Sequence, residues 1–189
     1  MRVIGGALRG RIIKAPLCAE ARPTTDRVKE SMFDMIVHRI SLEQAVVCDL
    51  FAGSGSLGIE ALSRGAAHAV FVERDRRALG ALRSNIEELG LRARADVVAA
   101  PVEKALGRIE RAFDCVFADP PYRYAGYRRF LELLFARNLL MRGGLVCIEH
   151  DSRTTPVTDR RWRVVLSRRF GGTTVTILTQ ADLMEGHEQ

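Results

Sequence analysis

The stretch Asp49–Gly58, DLFAGSGSLG, decides the fold. It follows the apolar run Val46–Phe51, and a helical pattern over Gly58–Arg64 begins at its last residue. Gly53, Gly55 and Gly58 form a G-x-G-x-x-G turn, and Glu73 ends the next strand candidate, twenty residues after Gly53. Glycines at this spacing permit a tight turn and a close backbone approach to a ligand. The pattern alone suits either a dinucleotide fingerprint or a plain Gly-rich connection. Two details disfavour a dinucleotide. Asp49, at the strand end, would repel a pyrophosphate and attract a cation, and a long N-terminal stretch precedes a motif with which dinucleotide folds tend to open. S-adenosylmethionine, an adenosine ligand carrying positive charge, fits better, with Glu73 accepting both ribose hydroxyls.

Outward from this turn, apolar runs of strand length alternate with helical patterns. The strand candidates are Val46–Phe51, Ala69–Glu73, Asp96–Ala99, Cys115–Ala118 and Leu145–Glu149. The helical stretches are Gly58–Arg64, Arg76–Leu89, Val102–Arg111 and Tyr127–Leu140. Continuous hydrophobicity in the strands predicts a mostly parallel sheet covered on both faces, hence a doubly wound α/β fold. Trp162–Phe170 and Thr173–Thr179, joined across Gly171-Gly172, predict an antiparallel C-terminal hairpin. Ahead of the repeat, Arg2–Ile4 and Arg11–Lys14 predict a small hairpin. A helix over Thr25–Ile40 follows, capped by Thr25 or Asp26 and preceded by Pro23. The expected division is residues 1–40 as this RNA-contacting extension and 41–189 as the catalytic domain.

Asp119-Pro120-Pro121-Tyr122 follows the run CVFA directly. In open α/β sheets such a strand end borders the ligand crevice. An exocyclic amine on a nucleobase is a poor nucleophile because its lone pair is delocalised into the ring. Asp119 and the carbonyl of Pro120 can each accept one of its N–H groups, favouring a tetrahedral nitrogen. The prolines fix the carbonyl direction, and Tyr122 offers a ring on which a base stacks. Read alone, the tetrapeptide is also a plausible rigid surface turn.

Of 189 residues, 47% are apolar and 28% charged, an ordinary globular balance. No run reaches the roughly eighteen apolar residues of a spanning helix, and Arg9 and Arg11 interrupt the place a signal peptide needs for its apolar stretch. A cytoplasmic location without membrane attachment is the expectation. The net charge is +6 and is unevenly spread. Arg2, Arg9, Arg11, Lys14, Arg22, Arg27 and Lys29 outweigh Glu20 and Asp26. A second block runs from Arg153 to Arg169, where six arginines face Asp159. Two basic blocks suggest a polyanionic partner, although solvated surfaces carry such blocks too. Cys18, Cys48, Cys115 and Cys147 form no C-x-x-C pair, and the four histidines are scattered. That spacing predicts reduced thiols and no structural metal.

These residues resemble the class I amino-methyltransferases with a D/N-P-P-Y/F motif. More narrowly, RVIGGALRGR, RPTTDRVKESMF (Arg22–Phe33), Asp49–Ala66, FVERD (Phe71–Asp75), DPPY and GGLVCIEH resemble the bacterial 16S rRNA guanine-N(2) methyltransferases of the RsmD type. The resemblance implies a seven-stranded class I methyltransferase sheet. It also implies methyl transfer from S-adenosylmethionine to the 2-amino group of one guanine in 16S rRNA, within the assembled small subunit. A monomer is a separate expectation. By the same resemblance, Asp49, Ala52, Gly53, Ser54 and Gly55 line the methionine and adenosine side of the cofactor. Glu73 holds the ribose, Arg74 lies beside the adenine, and Thr25 and Arg27 close the pocket. The catalytic set is Asp119, Pro120, Pro121 and Tyr122, and Arg9, Arg11, Lys14 and Arg22 are the expected rRNA contacts. One position departs. Where the family has a Gly-Asp pair whose carboxylate contacts adenine, this chain has Ala100-Pro101.

Adenine 6-amino methylation of DNA or RNA uses the same tetrapeptide, usually with a recognition domain that 189 residues cannot hold. Glutamine-amide methylation usually has Asn first. An RNA-binding module explains the charge but not Asp119, Glu73 and the loop together; a nicotinamide oxidoreductase explains the glycines but not DPPY.

Overall fold

A computed structural model describes residues 1–15, 26–121, 124–156 and 159–181. Thr25, Arg22, Tyr122, Cys18 and Pro23 lie outside the described residues. The chain forms α1 (Asp26–Val37), β1 (Val46–Leu50), α2 (Ser56–Ser63), β2 (His68–Glu73), α3 (Arg76–Glu88) and β3 (Ala95–Ala99). It continues through α4 (Val102–Leu106), β4 (Phe113–Ala118), α5 (Tyr127–Ala136), β5 (Leu140–Asp151), β6 (Trp162–Phe170) and β7 (Thr173–Gln180). The sheet order is β3-β2-β1-β4-β5-β7-β6. β1 to β5 run parallel, and β7 pairs antiparallel with both β5 and β6.

Alternate residues of each central strand feed two apolar layers, as uninterrupted strand hydrophobicity requires. Val47, Phe71, Cys115, Phe117 and Ile177 face α1, α2 and α3; Cys48, Val70, Val116 and Ile148 face α4 and α5. α1 belongs to the same core, with Met32, Phe33 and Ile36 fully buried and Phe33 stacked 5.4 Å from Phe117. Phe51–Tyr124 and Tyr124–Tyr127 ring contacts extend the other layer. No described helix is long and apolar enough to cross a membrane.

The structure corrects the expected boundaries in four places. α1 stops at Val37 rather than Ile40. The N-terminal strands reduce to one bridge, Arg2 to Ile12, because Gly6 and Gly10 take positive φ and turn the chain at once. α4 stops at Leu106, before Gly107, rather than at Arg111. α5 stops at Ala136: Asn138 has φ 51°, and Leu140 already pairs with Phe113 as the start of β5.

Two glycines separate close packing from open space. A Cβ on Gly58 would lie 2.3 Å from Phe71 Cε1, in the fully buried layer beneath α2, whereas Gly80, within α3, faces nothing within 4 Å. Gly58→Ala is therefore expected to destabilise by about 1–3 kcal/mol through overpacking, and Gly80→Ala to stabilise by about 0.5–1 kcal/mol through helix propensity. Chemical denaturation of both variants checks the contrast; equal midpoints would refute it.

Candidate active site

β1 has β2 on one side and β4 on the other, so the connections leaving β1 and β4 diverge. A crevice at such a reversal point is where open α/β sheets hold ligands. Leu50 pairs with Ala118 in register, which brings the Gly-rich loop after β1 beside Asp119 after β4. The two segments the sequence singled out, beginning 70 residues apart at Asp49 and Asp119, are neighbours.

Two carboxylates shape the loop from within. Asp49 is 1% exposed, and its Oδ2 accepts the N–H of Gly58 at 2.8 Å. Gly58 lies in the first turn of α2, whose amide groups lack helical partners. Glu73 Oε2 accepts the N–H of Gly53 at 2.8 Å, and its Oε1 accepts those of Arg74 and Asp75 at 2.7 Å each. Between these anchors Phe51 takes φ 64°, Gly53 φ 56° and Gly55 φ 86°. The region is left-handed, costly for the non-glycine Phe51. A Cβ on Gly55 would strike Leu82 Cδ1 at 2.6 Å, whereas at Gly53 the nearest atom is 4.0 Å away. Gly53 therefore presents its backbone to open space, and Gly55 closes against α3.

Asp49, Glu73 and Asp119 form a negative centre. The Asp49 carboxyl is raised to about 7, chiefly by burial; the Gly58 N–H opposes the rise, and the charges of Asp119 and Glu73 add to it. A nearby cation favours the ionised form of such a carboxyl. Asp119 is half-buried, Pro120 buried and Pro121 exposed. The Tyr124 N–H donates to the Pro121 carbonyl at 2.8 Å, and its hydroxyl donates to Glu103 Oε1 at 3.0 Å. Glu103, near the departing Ala100-Pro101 pair, is thus held by a tyrosine. Below this lies Tyr127, whose hydroxyl burial raises to about 12, with Asp119 and Asp151 adding to the shift.

The other expected residues are dispersed. Ala52, Ser54 and Gly55 are buried in the loop, while Arg74 is exposed after β2 and Arg27 is exposed on the first turn of α1. Arg9 is exposed, Arg11 reaches the carbonyl of Glu88 at 3.4 Å, and Lys14 pairs with Glu88. The turn before Arg9 is fixed to the end of α2: the Ala7 N–H donates to the Ser63 carbonyl, and Gly6 leaves no room there for a side chain.

Sequence reasoning missed a buried ion cluster. Glu60, fully buried, accepts the N–H groups of Ile4 and Gly5 at 2.7 and 2.8 Å and pairs with Arg64 at 2.7 Å and Lys29 at 3.4 Å. Lys29 Nζ also donates to the Arg2 carbonyl and Ser56 Oγ. Burial lowers the lysine ammonium, and Glu60 partly restores it. The available signal was helical spacing, which places Lys29 on the apolar stripe with Met32, Phe33 and Ile36.

With this geometry in hand, comparison with known proteins is informative. The Conserved hypothetical protein 95 family matches residues 1–179. Bacillus subtilis YlbH is 40% identical over 182 residues, covering 94% of this chain and 97% of its own. Ribosomal RNA small subunit methyltransferase D of Escherichia coli is 36% identical over 163 residues, 86% of this chain and 81% of its own. The solved structure of Escherichia coli yhhF superimposes with a TM-score of 0.83 at 32% identity, covering 95% of this chain and 97% of that one. Matched along nearly its whole length, and with the Gly-rich loop after β1 set beside Asp119 after β4, the chain belongs to the Conserved hypothetical protein 95 family, the RsmD-type rRNA methyltransferases.

Proposed function

We propose that this protein methylates the exocyclic 2-amino group of a guanine in 16S rRNA, using S-adenosylmethionine and acting on the small ribosomal subunit. The observation that carries the reading is the juxtaposition of three carboxylates, Asp49, Glu73 and Asp119, around a loop whose Gly53 faces open space. That donor set suits a cationic nucleoside and leaves no anion-binding character for a pyrophosphate. When bound, S-adenosylmethionine supplies an electrophilic methyl group.

The chain's own residues do the rest. Asp49 would face the positive charge of the cofactor and Glu73 would accept from its ribose, with Ala52, Gly53, Ser54, Gly55 and Arg74 lining the same pocket. Thr25 and Arg27 close it. Asp119 and the Pro120 carbonyl each accept one N–H of the target amine, directing the nitrogen lone pair at the methyl carbon. Bound there, S-adenosylmethionine would supply the methyl group and leave as the neutral thioether, and the surplus proton of the amine would pass to Asp119. Pro121 stiffens the turn and Tyr122 stacks the base. Residues 1–40 serve as the RNA-contacting extension, Arg9, Arg11, Lys14 and Arg22 meeting phosphates, which set position rather than sequence.

Labelled-methyl transfer tests the reading on small subunits, naked 16S rRNA and duplex DNA, with the labelled base identified. Label in N(2)-methylguanine from the ribosomal substrates supports it, and label only in DNA adenine overturns it. Asp119→Ala is expected to lower kcat by about 10²–10⁴-fold with cofactor affinity retained; wild-type turnover would remove Asp119 from catalysis. The raised carboxyl of Asp49 predicts a pH dependence. A cation binds the ionised form, so cofactor affinity is expected to rise with pH up to about 7 and then level off. Calorimetry across pH 5.5–8 checks this, and Asp49→Asn is expected to flatten the profile.

A further inference from the structure

The arginines from Arg153 to Arg169 read as one cluster in sequence, but the fold separates them. β6 runs parallel to β5, since each is antiparallel to β7. From Arg163 to Arg168 the strand advances about 16 Å at 3.3 Å per residue. Arg160, Arg161 and Arg163 therefore lie toward the amino edge of the sheet, where Arg161 is paired with Asp159. Arg168 and Arg169 lie at the carboxyl edge, the same edge as Asp119 and the Gly-rich loop.

The contacts of four residues shape this tip. The β6–β7 turn at Gly171-Gly172 meets the turn after β5, the Ser152 N–H donating to the Gly172 carbonyl at 2.9 Å. Arg153, in that turn, is exposed and pairs with Asp151. Arg169 donates from Nε to the Gly171 carbonyl at 2.8 Å, which fixes the guanidinium at the hairpin tip. Arg168 lies 5.4 Å over the Phe170 ring and donates to Ser31 Oγ at 3.2 Å. Ser31 is one helical turn beyond Arg27, so Arg168 and Arg27 adjoin across α1. Glu30 and Asp34 are the exposed acidic residues on this helix. Among the described residues, Arg168 and Arg169 have no carboxylate within 4 Å, unlike Arg153 and Arg161.

We propose that the carboxyl-edge tip of β6–β7, presenting Arg168 beside Arg27 on the α1 face of the sheet and Arg169 on the opposite face, grips the phosphate backbone of the RNA that delivers the target base. The inference rests on the RNA-methyltransferase reading and adds a surface to it. β6 stands three strands from β4, about 14 Å at 4.7–4.9 Å per step, roughly four stacked nucleotides at a rise of 3.4 Å. Planar guanidinium groups held by backbone and ring contacts suit phosphate oxygens. The turn before Arg9, by contrast, is fixed to the far end of α2, so the two basic blocks would meet different parts of the RNA.

The test compares Arg168→Gln/Arg169→Gln with Arg168→Lys/Arg169→Lys, and with Arg142→Gln on the exposed start of β5 at the opposite edge. Binding of 16S rRNA and of small subunits is measured across a salt series, with S-adenosylmethionine affinity by calorimetry as a check of folding. The Gln pair is expected to weaken RNA binding and reduce the slope of log K against log salt by about 0.7–0.9 per lost phosphate contact, with cofactor affinity unchanged. The Lys pair is expected to keep most of the slope, and Arg142→Gln all of it. An unaltered slope in the Gln pair, or an equal loss in Arg142→Gln, overturns the proposal. Because the readout is binding, a wild-type protein that binds RNA at this tip but transfers no methyl group would defeat the catalytic reading alone.

Discussion

Two carboxylates taking backbone N–H groups from one loop hold the candidate site together. Asp49 reaches forward from β1 to Gly58 in the first turn of α2, and Glu73 reaches across from β2 to Gly53. Each bond satisfies an amide that a left-handed loop would otherwise leave without a partner, at a net gain of about 1.5–3 kcal/mol when the acceptor is charged. The loop can therefore keep Phe51, Gly53 and Gly55 at positive φ. The same bonds set both carboxyl groups against the loop, so loop geometry and the acidic character of the candidate site have one cause.

A second buried charge fixes the N-terminal segment. Glu60 is fully buried yet surrounded by Lys29, Arg64 and the amides of Ile4 and Gly5. Removing one member of such a cluster typically costs about 3–5 kcal/mol, because the others stay buried without compensation. Ser63 and Asn85 extend the attachment. Ser63 Oγ accepts the Leu8 N–H, and Asn85 joins Lys14 to the Ser54 carbonyl of the Gly-rich loop. Residues 1–15 are thus joined to the loop itself.

Much of this was legible in sequence. The apolar runs around Cys48, Val70 and Val116 marked β1, β2 and β4 to within a residue or two, because a strand covered on both faces leaves no position for a polar side chain. DLFAGSGSLG and DPPY stood out because few residue types tolerate such turns. Boundaries set by a single reversal were less legible: nothing in LFARNLLM says that Asn138 turns the chain and Leu140 begins a strand. The Lys29–Glu60 pair was hidden for a related reason, since a charged residue on an apolar stripe reads as an interruption until its partner from another helix is in place.

The sequence by itself determined the doubly wound α/β class, the order of its strands and helices, the two candidate segments and the excess of arginine, because periodicity, turn chemistry and charge are local properties. Tertiary structure alone decided which of those residues meet. Parallel pairing of β1 with β4 set Asp49 and Asp119 close enough to act on one ionisation equilibrium. The length and direction of β6 divided one run of arginines between opposite edges of the sheet. Neither outcome is encoded in spacing along the chain, because proximity across a sheet follows from pairing and register, which only the folded chain establishes.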